Sequence, residues 1–164
     1  MKIVGLAGWS GAGKTTLLVQ VIDVLAKRGL RVSTIKHAHH AFDVDVPGKD
    51  SHRHRTAGAT EVLVASGRRW ALMHELRDEN EPSLASLLRQ LAPVDLVIIE
   101  GFKSEAHPKV EIHRTANGKP FLFATLPGVC GLITDDPGPP GWDGPIAGLD
   151  DVVGATDLLL RSAA

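Results

Sequence analysis

The stretch Ile3-Val4-Gly5-Leu6-Ala7-Gly8-Trp9-Ser10-Gly11-Ala12-Gly13-Lys14-Thr15-Thr16 decides the fold of this chain. From Gly8 to Thr15 it is a full match to the phosphate-loop pattern G-x-x-x-x-G-K-[ST]. Glycines at 8, 11 and 13 let the backbone curl so that successive N–H groups point inward at an anion, and the helix that begins here adds its positive end. Ile3 to Ala7 reads as a short buried strand entering the loop. Leu17, Leu18, Val21, Ile22 and Leu25 mark an apolar helical face leaving it. Strand, loop and helix are the context that the motif requires. Gly8, Trp9, Ser10, Gly11, Ala12 and Gly13 are therefore expected to cradle nucleotide phosphates, with Lys14 reaching the outer ones. Thr15 would place its hydroxyl on a Mg²⁺ ion, and Thr16 would touch an inner phosphate.

Lys27-Arg28-Gly29 supplies a basic last turn and a glycine stop to that helix, and Arg31 to Lys36 reads as a second strand. The two strands and their helix form a βαβ unit. The fold class expected is α/β: a three-layer P-loop NTPase fold with a mostly parallel central sheet and helices on both faces. In such sheets ligands gather beyond the carboxyl ends of the strands, so the residues just beyond Lys36 should face the nucleotide.

The segment from His37 to Arg55 holds five of the eight histidines among acids and bases and has too little apolar surface to pack as a core element. Three readings stand open. The segment can be a solvated loop leading into a helix; it can be a transition-metal site, although its spacing matches no closed zinc pattern; or it can recognise a second phosphate-bearing molecule through Lys49, Arg53 and Arg55. In the third reading Asp43 or Asp45 meets the Mg²⁺ or orients a water for attack on the terminal phosphate. Of the two, Asp43 is taken for the metal and Asp45 for catalysis.

Glu61 to Ala65 and Arg69 to His74 suggest a hairpin or adjacent strands, with Trp70 and Met73 read as core residues. Leu84, Leu87, Leu88 and Leu91 fall on one helical face after Pro82. Asp95-Leu96-Val97-Ile98-Ile99-Glu100-Gly101 is an almost wholly apolar strand tipped by a carboxylate, as a central parallel position buried on both faces demands. Glu100 at its carboxyl end is the candidate for holding Mg²⁺ or positioning the attacking water, and Lys103 is a further candidate contact. Pro108 to Arg114 alternates polar and apolar residues, which suggests a strand with one wet face near the sheet's edge. Val129 to Thr134 is the last convincing strand. It ends in Asp135-Asp136, where a carboxylate would accept the paired N–H donors of guanine, which favours GTP over ATP. The run from Pro137 to Pro145 is a loop in which Trp142 caps a base or an apolar gap, and a closing helix follows Asp151.

At 164 residues, with 43% hydrophobic and 23% charged residues and a formal net charge of −1, the chain is expected to form one soluble domain, 1–164. Neither a nucleic-acid partner nor a membrane is expected. Cys130 is the single cysteine; it excludes an internal disulfide framework and is read as a buried thiol in a reducing compartment. No signal segment or transmembrane stretch is recognised, which places the protein in the cytoplasm.

These residues together resemble the molybdopterin-guanine dinucleotide biosynthesis protein B (MobB) family. The resemblance is carried by 8–16, by Ile35-Lys36-His37, Asp43-Val44-Asp45, Pro47-Gly48-Lys49-Asp50-Ser51 and Ala57-Gly58-Ala59, by Arg69-Trp70-Ala71-Leu72, and by 95–103. It implies a GTP-binding, weakly GTP-hydrolysing homodimer with Mg²⁺. Such a protein assists a guanylyltransferase partner enzyme in attaching GMP to molybdopterin. In fold the family is similar to the dimeric P-loop GTPases of metal-centre assembly. Glu100 would correspond to its Walker-B-type acid, and Asp135 falls where the family has a strand ending in a similar aspartate. A histidine-rich GTPase that delivers nickel or zinc is the alternative. No residue stands out as an arginine finger or water-orienting glutamine, so hydrolysis in isolation is expected to be slow.

Overall fold

The computed structural model describes residues 1–38 and 42–164. The backbone gathers into two compact units, residues 1–37 with 84–164, and residues 38–83. His39 and His40, part of the histidine-rich run, lie outside the described residues.

The larger unit is built on six strands in the order β2-β5-β1-β6-β7-β8, parallel at every pairing. Here β1 is Lys2–Ala7, β2 Val32–Lys36, β5 Leu96–Glu100, β6 Lys109–His113, β7 Val129–Thr134 and β8 Ile146–Gly148. Successive strand residues point to opposite faces, and β5 shows the consequence. Leu96 and Ile98 join one core cluster with Leu17, Leu18, Val21 and Leu25 of α1 (Lys14–Lys27) and with Ala155, Leu158 and Leu159 of α4 (Val152–Ser162). Val97 and Ile99 join the other with Ile35 and with Leu84 of α3 (Leu84–Gln90). Each large side chain so buried contributes about 1.5–3 kcal/mol, and the two clusters make the three-layer α/β fold expected from the sequence. Gly29, at φ 79°, stops α1, and Arg28 beyond it binds Asp157 of α4 at 2.6 Å.

Three expectations are corrected. The alternating strand β6 is not at the edge: it lies between β1 and β7 with all five residues buried. Its polar side chains have partners that no water need supply. Lys109 Nζ donates to Glu105 O (2.6 Å) and His107 O (3.1 Å). Glu111 accepts from the N–H groups of Leu122 (2.7 Å) and Phe123 (2.9 Å), and the His113 ring stacks on Phe121 at 3.7 Å. Cys130 is exposed, because the β6–β7 register shifts between Lys109 and Val110 so that Val129 and Gly131, but not Cys130, find partners. After the proline-glycine run comes a further short strand, β8, which pairs with the end of β7.

The smaller unit holds α2 (Asp50–Thr56) and the antiparallel hairpin of β3 (Glu61–Ala65) with β4 (Trp70–His74). The hairpin agrees with the sequence, but of its apolar residues Val62 is buried, Met73 is half-buried and the rest, Trp70 among them, are exposed. Trp70 is 67% exposed and Leu63 60%. Leu63 pairs with Leu72 and Ala65 with Trp70, so these four share one outward face.

Candidate nucleotide-binding site

The loop from Gly8 to Gly13 joins the carboxyl end of β1 to the first turn of α1. Two glycines there are required by geometry. A β-carbon on Gly8 would meet Ile112 O at 2.5 Å, and Gly13 takes φ 90° as the residue that caps α1. Lys14 crosses back over the loop, its ammonium donating to Gly8 O (3.0 Å) and Trp9 O (2.9 Å). Burial draws its pKa below the ordinary lysine value; the carboxylate of Glu100 opposes that shift, and the like charges of Lys103 and Lys36 add to it.

Glu100 arrives from the neighbouring strand. In register it stands beside Leu6 of β1 and Lys36 of β2, and with Ser10, Gly11, Gly13, Lys14, Thr15 and Thr16 it lines a cavity of about 410 Å³. Thus the structure brings the loop residues and Glu100 together, with Lys36 and Lys103 near enough to bear on Lys14. Beyond Glu100 the backbone takes positive φ at Gly101 and Phe102, and Lys103 Nζ comes to 5.9 Å from the Trp9 ring centroid. Trp9 itself donates from Nε1 to Pro120 O at 2.7 Å.

The donor set fits Mg²⁺. A threonine hydroxyl and one carboxylate are hard oxygen ligands, and this ion is characteristically held by one or two protein groups plus phosphate oxygens and water. Among the described residues no three His, Cys, Asp or Glu side chains come together as a metal site.

Asp135 follows the last residue of β7, and its Oδ1 accepts from both the N–H and the hydroxyl of Thr115 at 2.8 Å. These bonds, the backbone one foremost, hold its pKa below the ordinary aspartate value. Asp136 accepts from Gly138 N at 3.0 Å. Trp142 packs at 5.1 Å from Phe123, and its Nε1 is buried with no hydrogen-bond partner among the described residues.

The remaining candidates belong to the smaller unit. Asp43 and Asp45 both hold Arg55. Its Nη2 bonds Asp43 at 2.7 Å, its Nε bonds Asp45 at 3.2 Å, and its Nη1 bonds Glu75 at 2.7 Å. All three guanidinium nitrogens are thereby engaged. The Asp43 pKa is lowered chiefly by the N–H of Asp45 and then by Arg55; that of Asp45 is lowered chiefly by the Ser51 hydroxyl, which donates at 2.8 Å. Lys49, which caps α2, and Arg53 are exposed, and α2 itself has no buried residue.

Sequence reasoning passed over two residues of the larger unit. Arg114 and Asn117 lie just after β6, against the loop: the Arg114 Nη2 is 3.5 Å from the point a β-carbon on Gly13 would take, and Asn117 Nδ2 donates to Ser10 O at 3.3 Å. The signal for them was the rule that ligands collect at strand carboxyl ends. It was unusable while β6 was read as an edge strand rather than the neighbour of β1.

A phosphate-binding loop between the central strand and its helix, with an acid from the adjacent parallel strand, defines a P-loop NTPase fold, a nucleotide-binding class. Within that class, the family model described as "Molybdopterin guanine dinucleotide synthesis protein B" matches residues 3–135. The chain belongs to this family. It is 40% identical to the molybdopterin-guanine dinucleotide biosynthesis adapter protein of Escherichia coli K12 over 98% of this chain and 93% of that one. It is 46% identical to the adapter protein of the same name from Haemophilus influenzae over 74% and 68%. The crystal structure of Bacillus subtilis MobB superposes with a TM-score of 0.76 at 27% identity, covering 100% of this chain and 99% of that one. None of these names concerns metal delivery.

Proposed function

We propose that this chain binds GTP with Mg²⁺ on 8–16, hydrolyses it slowly, and acts in the cytoplasm as a homodimeric adaptor in molybdenum cofactor biosynthesis. Residues 1–164 serve this role as one functional domain. In this reading it assists a guanylyltransferase enzyme that joins GMP to molybdopterin, giving molybdopterin guanine dinucleotide. The observation that carries the nucleotide half is the shared cavity of the loop, Lys14, Thr15 and Glu100. The names of the E. coli and H. influenzae relatives support the pathway half.

Within the site, the loop amides and Lys14 bind the phosphates, Thr15 and Glu100 hold Mg²⁺, and Thr16 touches an inner phosphate. Bound there, Mg²⁺ would offset charge on the outer phosphate oxygens. Asp135 keeps Oδ2 for a guanine donor while Oδ1 holds Thr115. Exposed Lys49 and Arg53 suit an anionic pterin phosphate or the partner enzyme; Asp43 and Asp45 serve the metal and the attacking water only if they exchange Arg55 for them. A homodimer is supported by the outward apolar face of the hairpin.

Calorimetry of the purified chain with Mg²⁺ and either GTP or ATP tests the nucleotide half. GTP should bind more tightly, and Lys14→Ala should weaken it at least tenfold. Equal affinity for both nucleotides, or no effect of the substitution, refutes it. In a mixture of guanylyltransferase, molybdopterin and Mg²⁺-GTP, adding the chain should raise the yield of the dinucleotide, and an unchanged yield would remove the adaptor role.

A further inference from the structure

The turn after β6 presses on the phosphate-binding loop, yet the loop's motif does not account for it. Arg114 leaves the carboxyl end of β6, the strand next to β1, and its guanidinium reaches Gly13 from the side. Asn117, at the end of a short 3₁₀ turn (Thr115–Asn117), bonds Ser10 O, and its Oδ1 lies 3.4 Å from the point a β-carbon on Gly11 would take. From the other side Asp135 fixes the turn through two 2.8 Å bonds to Thr115, one from the backbone and one from the hydroxyl.

Arg114 is only partly exposed. The Asp135 carboxylate is close enough to feel the charge of Arg114, but among the described residues no hydrogen bond or ion pair ties its guanidinium down, whereas Arg28, Arg31 and Arg55 each hold a carboxylate directly. A partly desolvated cation is costly unless an anion meets it. The surface it borders is one where inward N–H groups and a helix N-terminus converge to favour negative charge. A planar fork of donors is the side chain suited to two phosphate oxygens at once.

We infer that Arg114 is a second phosphate-contacting cation, beside Lys14, supplied by the same chain. It reaches the phosphate chain of the nucleotide held on 8–16, and Asp135, through Thr115, is the positioning residue that sets its turn. This rests on the nucleotide reading above and adds to it a cation that the loop motif does not contain.

The test uses the full chain and two probes in calorimetric titrations with Mg²⁺: tripolyphosphate, which has no base or ribose, and GTP. Arg114→Ala should weaken both by roughly tenfold to a hundredfold, the worth of a charge-assisted contact, and Arg114→Lys should fall between. Arg114→Gln carries the same test if the alanine variant does not fold, as judged by circular dichroism. Unchanged affinity for both probes in a folded variant overturns the inference. Asp135→Ala should also weaken tripolyphosphate, and adding it to Arg114→Ala should cost little more than Arg114→Ala alone. If Asp135→Ala weakens GTP but leaves tripolyphosphate untouched, the residue reads the base and the positioning role is overturned. The two readings fail separately. Tripolyphosphate binding that depends on Arg114, without GTP binding, sinks the nucleotide reading alone; GTP binding indifferent to Arg114 sinks this one alone; and a wild-type chain that binds neither probe sinks both.

Discussion

Glu111 sits in the middle of β6 with 0% of its surface exposed, and two backbone N–H groups hold its carboxylate. Burial pushes its pKa above the ordinary value of 4.5, and the bonds from Leu122 and Phe123 only partly oppose that shift. Replacing it by alanine leaves both donors without their acceptor, so Glu111→Ala should lose about 2–4 kcal/mol in urea unfolding at neutral pH. Because its pKa is higher folded than unfolded, the folded state binds more protons in the window just above pH 4.5, and the contribution of this residue falls as pH rises through that window. A folded Glu111→Gln variant should show a flatter stability profile there, and an identical slope would show that Glu111 is not its source. This strand also shows where reading residues one by one stops. Lys109, Glu111 and His113 alternate with Val110 and Ile112 as a half-wet strand does. Their face is covered by the segment that supplies Leu122 and Phe123, and no local pattern announces such a cover. The loop residues 8–16 were legible because their motif specifies backbone chemistry directly.

At the scale of elements, β1, α1 and β5 could be read because apolar runs and periodicity are local properties, and the parallel connection between β1 and β2 came from a single crossover helix. The position of β6 beside β1 could not, since sheet order depends on long-range pairing, and with it went Arg114 and Asn117. The hairpin was recognised as strands, but its burial was misjudged: apolar content in a two-stranded unit does not supply a second layer to pack against. Leu63, Trp70 and Leu72 are left on one outward face. Under the homodimer reading that face is covered by its copy, so the combined change Leu63→Lys and Trp70→Lys should convert a dimer in light scattering to a monomer while GTP binding persists. A variant that stays dimeric would move the interface elsewhere.

For the whole molecule, the division into two units has an energetic counterpart. The larger unit buries both faces of β5, whereas α2 buries none of its residues and the smaller unit draws on the Arg55 cluster of ion pairs. Hydrogen exchange should therefore be slowest at amides of β1, β5, β6 and β7 and fast throughout α2. Comparable protection in α2 would mean that a surface absent from a single chain shields it. Cooperative stability and the nucleotide cavity thus both reside in the larger unit.

The loop also carries its own optical reporter. Of the three tryptophans, Trp9 alone lies within the phosphate-binding loop, its indole N–H tied to Pro120 and the Lys103 ammonium near its ring. Under the nucleotide reading, a phosphate chain arriving beside it would change the electric field across the indole, so its emission should shift on occupancy without any attached dye, and unchanged Trp9 emission on titration with Mg²⁺-GTP would count against binding at the loop. Trp70 and Trp142, located elsewhere, provide a background that a Trp9→Phe variant isolates.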